Sequence, residues 1–266
     1  MLSSLFVTTS LLAGNALAVF AMVTALWLWS VYRRDASIID PWWSMGFLLV
    51  TARTAFATGI TPAKTLLLAM VAVWALRLFG HLTVRARGAP EDPRYQAFRR
   101  RFGAERYWWV SYFQVFLLQG VLVLLVSAPL QLAAAAPAPD PIASHDLAAL
   151  AVFTVGFLFE AVGDWQLARF RRDPASKGRA LDTGLWRYTR HPNYFGEAVL
   201  QWGLWLTALD QPWGPAAALA PALMTWLLLR VSGVTMLERQ LTKTRPAYED
   251  YVRRTSAFLP WPPRAR

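Results

Sequence analysis

The chain has 266 residues, 56% hydrophobic and only 16% charged, which excludes an ordinary soluble domain, where about a quarter of residues are charged. It has no cysteine, so disulfides, thiolate metal sites and cysteine nucleophiles are excluded as well, and no metal site is expected. The formal charge of +11 is not gathered into a basic stripe apart from the apolar segments, which argues against a nucleic-acid partner.

A hydrocarbon core of ~30 Å needs about 20 helical residues to cross it. Seven apolar runs qualify, near 5–32, 38–58, 63–83, 109–130, 146–168, 194–209 and 214–237, the sixth being short. The expected fold is therefore all-α and integral to the membrane, a single polytopic domain over 1–266. The first run lacks a basic leader and is too long for the apolar part of a signal peptide, so it is expected to be retained as a span.

Polar residues interrupt the runs at few places, and ionisable groups inside a span are costly enough to be informative. At the start of the second run, "IIDPWWS", Asp40 is expected to cap the helix, with Pro41 in the first turn and Trp42 and Trp43 forming an aromatic wall. In the third run, Trp74, Arg77 and His81 share one helical face, and Arg77 is expected to pair with Asp40. The stretch 92–106, "DPRYQAFRRRFGAER", reads as an interfacial helix, with Tyr95, Phe98 and Phe102 at helical spacing among arginines. The tract 133–141, "AAAAPAPDP", is a proline-stiffened link.

In the fifth run, Glu160 and Asp164 stand one turn apart, with Gln166 and Arg169 beyond them. Two like charges so placed repel unless a cation, a proton or a donor-rich ligand joins them. The next polar stretch, "TRHPNYFGE" at 189–197, opens the sixth run. Pro192 suits the first helical position, which makes His191 the cap. Arg190, His191 and Asn193 then ring the entrance, while Tyr194, Glu197 and Gln201 run inward on one face. Free amides at a helix start favour an anionic or hydrogen-bonding ligand. After the seventh run, the tail brings Glu238, Tyr248, Tyr251 and Arg254, the tyrosines on a short helix following Pro246.

Of the 27 Lys and Arg, 23 fall in four segments, those after the first, third, fifth and seventh runs. Such an excess marks the cytoplasmic side, so the N-terminus is expected outside and the C-terminus in the cytoplasm. The polar groups would all lie near the cytoplasmic rim, lining a cavity with arginines for phosphate or carboxylate and tryptophans deeper for a flat apolar molecule. A polar anionic cofactor from the cytosol would there meet a lipid-like substrate from the bilayer.

These residues resemble the steroid 5-alpha-reductase superfamily, and within it the bacterial members grouped as domain of unknown function 1295. The match is strongest over 164–203, "DWQLARFR…GLWRYTRHPNYFGEAVLQWG", with weaker similarity from "DPWWS" through "WALRL", "EDPRY" and "VFLLQG". The resemblance implies a seven-helix membrane fold, NADPH in a cytosolic cavity, and hydride transfer to the carbon–carbon double bond of a lipophilic enone. It places Asp164, Asn193 and Glu197 as cofactor-binding residues, Arg169 and Arg179 in the phosphate-holding segment, and Tyr248 and Arg254 beside them. Arg190, His191, Tyr194 and Glu238 complete the expected cofactor set, which puts the cofactor region in 146–266 and the substrate side in 1–130. Family members polarise the enone carbonyl with a Glu and a Tyr. Here Asp40 stands for the Glu, while Trp74 replaces the Tyr, with Arg77 kept three residues on. Indole has no acidic hydroxyl, so either Asp40 with Arg77 does the polarising or the substrate differs. The pattern "RHP.Y.G" is also similar to isoprenylcysteine carboxyl methyltransferases and small phospholipid methyltransferases. In that alternative, His191, Tyr194 and Glu238 hold S-adenosylmethionine for transfer to a lipid or prenylated acceptor. No Gly-rich dinucleotide or phosphate loop follows a strand, so either cofactor would be held by side chains at helix ends. The expected location is the inner membrane, with lipophilic substrate and membrane lipids as partners and the active site open to the cytoplasm.

Overall fold

Helix α1 (Leu2–Arg33) begins the computed structural model, which describes residues 2–176, 178–231 and 248–264. Among the described residues the regular structure is all helical, without a strand. The chain divides into two units, one of residues 1–143 with 211–213 and the other of 144–210 with 214–266.

In the first unit, α1 is followed by a 3-10 turn, Ala36–Ile38, that runs directly into α2 (Ile39–Thr58). The cap of this continuous stretch is Asp35, whose carboxylate accepts from the Ser37 amide at 2.9 Å. Asp40 therefore lies inside the first turn of α2 and does not cap it, because the 3-10 turn moves the helical start upstream. Gly59, with φ of 85°, ends α2, and α3 (Pro62–Ala86) starts with Thr61 as cap and Pro62 in its first turn. Helix α4 (Pro93–Phe102) starts on Asp92, which accepts from the Arg94 amide. A left-handed Gly103 (φ of 84°) turns the chain into α5 (Ala104–Ser111). Through a π-helical stretch, Tyr112–Leu117, α5 continues into α6 (Leu118–Val126), and α7 (Ala128–Ala134) follows. The span expected at 109–130 thus starts five residues earlier, and it breaks at Ser127 ahead of Pro129, where an unbroken helix would lose a backbone hydrogen bond. Val19, Val23, Phe47, Val50, Val71 and Trp74 form the core of this unit.

In the second unit, α8 (Ser144–Arg172) and α9 (Pro192–Leu206) lie antiparallel in backbone contact. Glycines make this possible. A Cβ on Gly203 would stand 2.6 Å from the Phe153 amide nitrogen; on Gly156, 2.7 Å from the Gly196 carbonyl oxygen; on Gly163, 3.1 Å from the Asn193 amide nitrogen. Gly156 and Gly163 are seven residues apart on α8, as are Gly196 and Gly203 on α9. Each pair therefore makes one stripe, and the stripes meet, as small residues do when membrane helices pack closely. Helix α10 (Leu219–Trp226) and the tail helix α11 (Tyr248–Arg254) complete the described part of this unit.

Among the described residues four helices are long and apolar enough to cross a membrane: Thr9–Arg33, Pro62–Ala86, Ala104–Val126 and Ser144–Arg172. The expected second span is helical over its length, but α2 carries Asp40, Arg53 and several hydroxyls. Arg53 and Thr54 turn toward α1: Asn15 donates to Thr54 and Gln131, each at 2.9 Å, and accepts from Arg53 at 3.0 Å. The expected sixth span is a helix of only 15 residues, and the expected seventh is described as far as Val231.

Candidate functional site

The α8–α9 seam gathers buried polar groups in the second unit. Its antiparallel register sets Asp164 beside the first turn of α9, where the Asn193 amide Nδ2 donates to the Asp164 Oδ1 at 3.0 Å. In that orientation Asn193 turns its NH2 toward the carboxylate, and its other end, Oδ1, is buried with no hydrogen-bond partner among the described residues. One turn further into α9, Gln201 donates through Nε2 to Glu197 Oε1 at 3.0 Å. Glu160 lies opposite Gly196, close to Glu197 along the seam. Glu160, Asp164 and Glu197 are all buried. Three carboxylates and a spare amide oxygen along one seam make an acceptor-rich surface, suited to a ligand bearing amide and hydroxyl donors.

The entrance to α9 is built as the sequence predicts. His191 is the cap, Pro192 takes the first turn, and the His191 ring stacks on Tyr194 with centroids 5.5 Å apart and planes 5° from parallel. The turn before it (Gly184–Arg187) is tied to α8. Trp186 Nε1 donates to the Gly163 carbonyl at 3.1 Å, and the Leu185 amide donates to Gln166 Oε1 at 3.0 Å. Gly184, at φ of 61°, approaches the Gln166 side chain so closely that a Cβ would sit 2.7 Å from its Cδ.

The tail closes on the same entrance. Arg190 donates from Nη1 to the carbonyls of Val252, at 3.0 Å, and of Thr255, and its backbone amide donates to the Ser256 carbonyl at 2.9 Å. Tyr251 donates its hydroxyl to the Trp186 carbonyl, and Thr189 donates to the Phe258 carbonyl at 2.8 Å. Tyr248 is buried against Tyr251. Arg254 is bonded to Asp250 at 2.8 Å and reaches Asp182 at 3.9 Å. Of the expected cofactor residues, Asp164, Asn193, Glu197, His191 and Tyr194 thus lie on or beside the seam. Arg190 holds the tail, and Tyr248 and Arg254 pack within it. Arg169 is exposed over the Trp165 ring, and Arg179 is exposed after the left-handed Gly178. Glu238 lies outside the described residues.

In the first unit, Asp40 takes its partners from α4. Arg94 Nη2 donates to its Oδ2 and the Tyr95 hydroxyl to its Oδ1, both at 2.6 Å. The expected Asp40–Arg77 pair is not formed, because α4 folds back over the start of α2. Arg94 is also held by Asp92, at 2.9 Å from Nε. Burial pushes the Asp92 carboxyl up, but the Arg94 side chain and amide outweigh it and hold Asp92 below its usual value. The Tyr95 hydroxyl is pushed well above its usual value, by burial first and then by the neighbouring Asp40 charge. Trp74 is fully buried, its ring edge-on to Phe47 at 5.3 Å. Arg94 and Tyr95 are the functional candidates that the linear reading passed over. Their signal was "EDPRY", one of the segments that carry the family resemblance, where the pairing of acid and base reads equally well as a helix cap.

The family model described as "protein of unknown function (DUF1295)" matches residues 26–255, across both units. The chain belongs to the DUF1295 family. That family is part of the steroid 5-alpha-reductase superfamily, so this DUF1295 chain is a steroid 5-alpha-reductase-like membrane protein. It is similar to an uncharacterized protein of Schizosaccharomyces pombe, 23% identical over 274 residues that cover 91% of this chain and 77% of the yeast protein. No solved structure matches the DUF1295 chain.

Proposed function

We propose that this protein is a membrane-embedded reductase that uses NADPH to reduce the carbon–carbon double bond of a lipophilic enone drawn from the bilayer. The observation that carries the reading is the Asp164–Asn193 hydrogen bond on the glycine seam, with the second amide oxygen of Asn193 buried and open to a donor. The residues fit the cofactor's chemistry. Asn193 Oδ1, Asp164 and Glu197 accept from carboxamide and hydroxyl donors, while the exposed Arg169 and Arg179 match phosphate oxygens. His191 and Tyr194 flank the entrance as a stacked pair. NADPH, when bound, supplies a hydride.

In the first unit, Asp40 accepts from the Tyr95 hydroxyl at 2.6 Å, and Arg94 fixes the carboxylate. Once it carries a proton, Asp40 is the donor that the Trp74 indole lacks, and it suits the oxygen of an enone as charge grows there. Arg77, in the third expected span, remains a second candidate for that oxygen. The reading places the protein in the inner membrane with seven spans, the N-terminus outside and the cofactor side in the cytoplasm. It is supported by the four base-rich segments.

Thermal melting of the full chain in neutral detergent tests the cofactor directly. At about 100 times its dissociation constant a ligand stabilises by about 2.7 kcal/mol, so NADPH should raise the melting temperature by about 5–11 °C. Asn193→Ala and Glu197→Ala should each reduce that rise. Stabilisation by S-adenosylhomocysteine and not by NADPH would transfer the site to a methyltransferase, and no response to either would remove the enzyme reading.

A further inference from the structure

Helix α4 spends its arginines in two directions. Toward the protein, Arg94 holds Asp40 and Asp92. Arg99 holds Glu91, at 2.8 Å from Nη2 and 3.1 Å from Nε, and also donates to the Arg34 carbonyl. Away from it stand Arg100 and Arg101, both exposed, and after the Gly103 turn α5 adds an exposed Arg106. Among the described residues none of these three has a carboxylate partner. Glu105 is the one acidic residue between 93 and 109.

The same three arginines lie at the start of Ala104–Val126, which is long and apolar enough to cross a membrane. The first turns of that helix expose Trp108 and Trp109, at 53% and 46%. Trp108 is fixed from α1: Trp27 stacks on it with centroids 6.3 Å apart and donates Nε1 to its carbonyl at 2.7 Å. Exposed tryptophans at the end of a span sit at headgroup depth. That puts three unneutralised guanidinium forks where phosphate oxygens lie, in a geometry that suits bidentate bonds. Because the inner edge of α4 is bonded to the start of α2, the outer arginines are already positioned and lose little freedom on binding.

We propose that Arg100, Arg101 and Arg106, with Trp108 beside them, form a docking surface for the headgroups of anionic phospholipids. The charge decides the occupant. A net-negative phosphodiester is attracted by the whole patch, whereas a zwitterionic headgroup brings an ammonium that the patch repels.

Native mass spectrometry of the full chain, released from detergent with equal phosphatidylglycerol and phosphatidylcholine, reads the preference. Wild type should retain phosphatidylglycerol in excess, and R100Q/R101Q/R106Q should lose at least about tenfold of that excess, a modest estimate for three surface arginines. R172Q/R187Q/R264Q removes the same charge from exposed positions elsewhere and should keep it. Equal loss in the two variants would show a net-charge effect and overturn the proposal, as would a wild type without preference. Should the first variant fail to fold, salt decides on wild type alone. Raising ionic strength from about 0.1 to 0.5 M should suppress the excess, and its persistence would defeat the proposal.

Discussion

Replacing Gly196 by alanine should force α8 and α9 apart. The new Cβ would stand 2.5 Å from the Gly156 carbonyl oxygen and 2.9 Å from the Glu160 Cα. Both are backbone atoms, which cannot swing away as a side-chain end can. Restoring ordinary contact requires the helices to separate by about 1 Å, a change at the upper end of the 1–3 kcal/mol that overpacking costs. At about 2–4 °C per kcal/mol for a chain of this size, the melting temperature should drop by about 6–12 °C. The same movement, carried one turn along the seam, would stretch the Asn193–Asp164 bond from 3.0 Å to about 4 Å, beyond hydrogen-bonding range. Gly80→Ala is the matched control, since no atom lies within 4 Å of its would-be Cβ. There alanine should be neutral or stabilising by up to about 1 kcal/mol through helix propensity. Circular dichroism or dye-based melting in detergent reads both. If Gly196→Ala melts with Gly80→Ala, the seam is not a backbone contact and the register argued for Asp164 and Asn193 is wrong.

Tyr95→Phe tests the hydroxyl bond to Asp40, worth about 1.5–3 kcal/mol for a charged acceptor. Because the folded-state pKa of Tyr95 is raised above its ordinary 10.0, the stability it contributes is whole below pH 10.0 and fades as pH climbs toward the folded value. Wild type should therefore lose stability above pH 10 more steeply than Tyr95→Phe, and parallel alkaline profiles would contradict the placement. A double-mutant cycle of Asp40→Asn with Arg94→Gln should give a coupling of about 1 kcal/mol for this partly exposed pair, and a coupling near zero would remove the ion pair. Arg190→Ala deletes the bonds to the Val252 and Thr255 carbonyls, so trypsin should cut at Arg253 or Arg254 several-fold faster; unchanged cleavage would mean that the tail is held by other contacts.

The segmental character of the protein was legible in its residues, because helix length and apolar content are local properties. Runs of 20 or more apolar residues require satisfied backbones in lipid, and a helix satisfies them internally. The entrance of α9 was equally readable, since Pro192 can only start a helix and His191 must then precede it. So was the start of α4 on Asp92 and Pro93, but not its end: the helix expected over 92–106 stops at Phe102, where Gly103 takes φ of 84° and residues 104–106 join the next helix. Even the seam left a mark, in glycines seven apart at 156 and 163 and again at 196 and 203, but spacing alone shows that each helix has a stripe, not that the stripes face each other.

What the tertiary structure decided is which remote groups meet. Asp40 and Arg77 sit on adjacent helices and look like partners by order along the chain, yet the doubling back of α4 brings Arg94 and Tyr95 to Asp40 first. Asp35, unremarkable in the sequence, caps the stretch that Asp40 was expected to cap. Arg190 stands beside Asn193 and bonds instead to the tail some sixty residues later. Periodicity reports the face on which a residue lies, whereas its partner depends on the path of the loops and on how closely the backbones approach, and both are properties of the folded chain alone.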